Sequence, residues 1–230
     1  MAKIMFGAVA VDARNKIAGI VYSKNAAGGY VRVKVSPTQA ATNRRGLVRT
    51  RITNLSKYWS ATLTGAQIAA WNAFAKNNPV KDVFGRTITL SGIQTFCRLN
   101  ANILNVGGTQ IDDPPASLTI QGITSIAPAA AAGAATFSVV YAPSPLDTNV
   151  CLNVFATQQL PIGRSFTKSY KRWIFASAAA AVTPANIHSA YLAKFGALVE
   201  GSAIGVFVNV VDKTTGAATT PLYERVIVAA

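Results

Sequence analysis

The periodicity of the chain changes once, at Asp112-Asp113-Pro114-Pro115, and that change limits the folds open to it. Ahead of it, apolar residues recur mostly at helical spacing. After it, they fall in short β-rich runs separated by turn signals. Adjacent prolines do not continue a helix or a central strand. Segment 112–116 therefore reads as a linker between a module at 1–111 and a module at 117–230. Each has ordinary domain size. With half the residues hydrophobic and 13% charged, both have material for a core, and neither reads as disordered. So low a charge density also points to surface covered by neighbours.

The leading module opens with an expected hairpin, residues 17–23 and 30–35 around a turn at 24–29. In its second strand Val31, Val33 and Val35 alternate with Tyr30, Arg32 and Lys34, which predicts one apolar face and one aromatic, basic face. Pro37 ends the strand, and Thr42 or Asn43 can cap a helix running to about Trp59. Val48, Ile52, Leu55 and Trp59 form its expected buried stripe.

Two further helices announce their own starts. Thr64-Gly65-Ala66-Gln67 and Ser91-Gly92-Ile93-Gln94 are capping boxes, in which a hydroxyl and a glutamine satisfy orphan backbone N–H groups reciprocally. Leu63 and Ile68 stand as a hydrophobic staple to the first. Its expected inner stripe is Ile68, Trp71 and Phe74 or Ala75; that of the second is Ile93, Phe96, Ile103 and Leu104. Asn77-Asn78-Pro79 and Gly107-Gly108 stop them.

In the trailing module, expected strands lie at 118–126, 135–141, 150–157, 170–176, 203–212 and 223–228. Short strands at this spacing argue for an antiparallel sandwich of immunoglobulin or fibronectin-III type. A short inserted helix is expected from Thr183 and Pro184 toward Gly196. The fold class expected is thus α+β, a β-hairpin plus three helices followed by a β-sandwich.

Charge divides as the fold does. Residues 1–110 hold fifteen Lys and Arg against Asp12 and Asp82, whereas residues 111–230 hold seven against six acids. The leading module cannot neutralise its own field and should seek an anionic surface. Arg32, Lys34, Arg44, Arg45, Arg49, Arg51 and Lys57 are the candidate contacts. Tyr30 and Tyr58 would be available to stack if the partner were nucleic acid. Cations at the start of a helix oppose its dipole, which an external anion would relieve.

Catalysis finds no constellation. His188 is the sole histidine, and no nucleophile motif accompanies it. Asp112 and Asp113 lie in the expected linker, poorly held for acid–base work. No phosphate-binding glycine loop is present. Cys97 and Cys151 fall in different modules, and two thiols cannot complete a zinc site. No cofactor, metal or small-molecule substrate is expected. No signal peptide or membrane span is read from the sequence, so synthesis in a reducing cytoplasm is expected and membrane binding is not.

The leading half resembles a family of phage and prophage virion proteins. Their pattern is Gly-x-Val-Tyr-Ser-x-Asn-x-x-Gly-x-Tyr-Val-Arg, then Pro, Thr, an arginine-bearing helix, Leu-Ser-x-x-Trp and Leu-Thr-x-x-Gln-x-x-Ala-Trp-Asn. The matching pieces are 19–25, 29–32, Pro37, Thr42, Arg49, 55–59 and 63–72, continued by Gly92, Phe96 and Asn100. The second half resembles the fibronectin-like modules that often follow. The resemblance carries no catalytic residues. It implies a non-enzymatic virion subunit, a capsid accessory or tail component, whose partners are copies of itself and acidic virion proteins. The alternative is a protein that binds or coats nucleic acid without regard to sequence.

Overall fold

The computed structural model describes residues 2–3, 15–17, 19–25, 28–34, 43–82, 84–164 and 171–230. Val35, Pro37, Thr42 and Tyr170, which figure in the expected elements, lie outside these residues. The chain is mixed α+β and divides into two compact units, Met1–Thr50 with Pro79–Thr89, and Arg51–Asn78 with Leu90–Ala230.

The first unit holds a four-stranded antiparallel sheet of β1 (Ala2–Lys3), β2 (Asn15–Ile17), β3 (Ile20–Asn25) and β4 (Gly28–Val33), in the order β1-β4-β3-β2. The β3–β4 hairpin is tighter than the sequence suggested, because Asn25 pairs with Gly28. Of the expected apolar valine face, Val31 is half-buried and Val33 exposed. Register sets Ile17 opposite Ile20 and Ile20 opposite Val33, and all three are exposed. The buried side chain of this hairpin is Val21, paired with Arg32. A second, two-stranded ribbon, β5 (Val80–Lys81) with β6 (Thr87–Ile88), was not legible in the sequence. The carboxylate of Asp82 accepts from the N–H groups of Phe84 and Arg86 and shapes its turn.

In the second unit, α2 (Gly65–Asn77) and α3 (Gly92–Asn105) begin as the boxes require. Thr64 and Ser91 accept from the N–H groups of Gln67 and Gln94, whose side chains accept in return. The preceding helix, α1 (Asn43–Ala61), belongs to this unit from Arg51 onward. The helical core is Leu55, Leu63, Trp71, Phe96 and Leu99, with Trp59 packed against it. Phe96 lies 5.5 Å from Trp59 and meets Trp71 edge-on at 5.4 Å, measured between ring centres. Each such buried side chain contributes about 1.5–3 kcal/mol. Close approach of α2 and α3 requires Gly92, because a Cβ there would stand 2.3 Å from the Asn72 side chain.

The segment expected as a linker is fastened to these helices. The buried Asn100 amide donates to the Ile111 carbonyl at 3.1 Å and accepts the Ile111 N–H at 2.8 Å. Two aromatic side chains of α1 and α2 also reach Asp112.

Among the described residues seven strands follow: β7 (Ser125–Ala131), β8 (Thr136–Ala142), β9 (Val150–Ala156), β10 (Arg172–Ala179), β11 (Ala185–Asn186), β12 (Ala203–Asp212) and β13 (Leu222–Ile227). They form antiparallel sheets in the orders β10-β9-β12-β13 and β11-β8-β7. Phe137, Val139, Leu152, Val154, Ile204, Val206, Val208 and Val210 fill the space between them. The outer face of the larger sheet carries an aromatic row, since Trp173 pairs with Phe155, Phe155 with Phe207, and Phe207 with Tyr223. The Lys171 ammonium caps the Phe207 ring at 5.1 Å.

Two expectations need correction here. The first strand runs through Pro128 and the alanines after it, not over 118–126. It is an edge strand, which tolerates a proline. The inserted helix is α4 (His188–Phe195) and starts past Pro184, because Ala185 and Asn186 pair instead with Val139 and Ser138.

The helices and the sandwich meet at the turn after β12. Gly216 has φ +73°, and a Cβ there would lie 2.4 Å from the Leu99 carbonyl oxygen. The Asn102 amide donates to the Gly216 carbonyl at 2.9 Å.

Candidate functional site

The candidate cations fall on two elements. Arg32 is exposed on β4, and Lys34, just beyond that strand, is exposed with its N–H bonded to the Gly19 carbonyl at 2.7 Å. The other five lie on α1, which has no acidic residue along its 19 residues. Arg49 and Lys57 are exposed, while Arg45 and Arg51 are half-buried. Arg44 opens the helix; its side chain lies outside the described residues. Within its own unit, none of Arg32, Lys34, Arg49, Arg51 and Lys57 forms a salt bridge among the described residues.

Helix α1 departs from the expected buried stripe. Leu55 is buried and Trp59 is half-buried, but Val48 is 47% exposed and Ile52 43% exposed. Leu47 is 53% exposed beside them. The stripe is therefore continuous in sequence and covered only at its C-terminal end. Helical spacing sets Arg45 and Arg49 on one flank of Ile52, and Arg51 next to Val48. Among the described residues of α1, Leu47, Val48, Arg49 and Ile52 are thus exposed. Sequence periodicity located the stripe but could not tell which part of it the protein covers.

Tyr58 is not available for stacking in the way expected. It packs against the helical core, and its hydroxyl donates to the Asp112 carboxylate at 3.1 Å. That bond, with burial, raises the phenol's pKa. Tyr30 is half-buried on β4, opposite Ser23.

A second concave feature lies at one end of the sandwich. It is a cleft of about 580 Å³ whose lining includes Ile120, Leu146, Val150, Asp147 and Asp212, and no cation. The Asp147 N–H donates to the Gln121 side chain at 2.7 Å. Its carboxylate is exposed and accepts no hydrogen bond among the described residues. Burial pushes the Asp212 carboxyl up, but hydrogen bonds from the hydroxyl and N–H of Thr214 and from Thr215 outweigh it and leave the pKa lowered. Asp212 thus stays ionised into mildly acid solution.

The chemistry-bearing residues set aside in the sequence are placed as follows. Burial raises the pKa of both thiols, Cys97 and the fully enclosed Cys151. His188 begins α4, half-buried, its N–H donating to the Asn186 side chain at 2.9 Å. Among the described residues no group of three or more potential metal ligands occurs, and no helix is long and apolar enough to cross a membrane.

Comparison with protein-family models, curated proteins and solved structures found no match to this chain.

Proposed function

We propose that this protein is a non-enzymatic structural subunit of a phage-like virion, a capsid accessory or tail component made in the host cytoplasm. It docks through its basic leading half onto an acidic assembly surface. One observation carries the reading: α1 bears five cations and no acid, and Leu47, Val48, Arg49 and Ile52 along it are exposed. An anionic protein surface with apolar ground satisfies both properties at once. Nucleic acid would use the cations alone, and the engagement of Tyr58 with Asp112 removes one of its two stacking platforms.

The sandwich is assigned to the fibronectin-III or immunoglobulin-like class. Seven strands in a four-plus-three antiparallel arrangement, with strands close in sequence divided between the sheets, support that assignment. Its part is to present loops and strand edges to neighbours while carrying no chemistry. The motif resemblance of the leading half to phage and prophage virion proteins points the same way.

The test is mass spectrometry of purified particles, with wild type and a variant carrying Glu at Arg32, Lys34, Arg49 and Lys57. The wild type should be a stoichiometric particle component, and the variant should fold but be lost from particles. Absence of the wild type, or equal incorporation of the variant, sinks the proposal. If the wild type shifts DNA of any sequence and the variant does not, while particle content is unchanged, the nucleic-acid alternative stands. Salt sensitivity alone would decide nothing, because every charge-driven contact weakens with salt.

A further inference from the structure

We draw no further inference here: the strongest candidate, the row of exposed aliphatic side chains Ile17, Ile20 and Val33 that strand register aligns on one face of the leading sheet, carries nothing because nothing in the structure shows what covers it.

Discussion

The indole N–H of Trp71 donates to the backbone carbonyl of Asp112 at 2.6 Å, across 41 positions of sequence. Trp71 is fully buried at the centre of the helical core. The hydrogen bond therefore draws the segment after α3 back against α2. With the Asn100 amide bonded both ways to Ile111, it turns a stretch rich in prolines and acids into part of a packed core. Several consequences can be measured.

Replacing Asn100 by Ala should destabilise the protein by about 1–3 kcal/mol, since the half-buried N–H and carbonyl of Ile111 lose the partner they share. Asn100→Asp should also be costly, because it keeps the acceptor but removes the donor and buries a charge. Equilibrium unfolding in urea measures both. A loss below about 0.5 kcal/mol for Asn100→Ala would mean that water reaches Ile111.

Gly216→Ala should cost at least about 2 kcal/mol. The backbone there has φ +73°, and the new methyl would strike the backbone of Leu99. Gly46→Ala is the contrasting control. Its Cβ would enter open space within a helix, and alanine is favoured there by about 1 kcal/mol. Thermal melts of the pair should move in opposite directions.

Asp212 sets an acid limit. Its folded pKa lies below the ordinary value, so the unfolded chain takes up a proton at a higher pH than the native state does. The stabilisation is complete above about pH 5 and is lost as pH falls through the unfolded value near 3.9 toward the lower folded one. Asp212→Ala should lower stability at neutral pH and flatten the decline below about pH 4. Urea midpoints at several pH values test the sign. An unchanged acid limb would remove Asp212 from the account.

Cys151 should resist a thiol reagent until the sandwich unfolds, because it is 1% exposed and burial holds its thiol protonated. Cys97, only half-buried, should label first. Labelling followed by mass spectrometry gives the order, and equal rates would indicate that β9 opens locally.

Much of this architecture could be read from single residues. Thr64 with Gln67 and Ser91 with Gln94 marked two helix starts because capping chemistry is local and directional. The runs that became β9 and β12 were legible because they are apolar and rich in β-branched residues. The alanine-rich edge strand β7 was not, since alanine favours no strand and pairing with β8 and with Ala229 holds it there. Long-range relations were also hidden. Nothing near Asn102 signals Gly216, and nothing near Asn100 or Trp71 signals the segment that each fastens. For the candidate site, the cations were evident, but the partial cover of the α1 stripe was not. Periodicity reports which face is apolar, and packing alone decides how much of that face is used.

The grip of Asn102 on the turn at Gly216 bears on how the molecule could be cut. Cleavage in the Pro114-Pro115 stretch would not release two self-sufficient fragments. The nicked pieces should travel together until denaturant parts them, and a gene truncated there should yield an insoluble product.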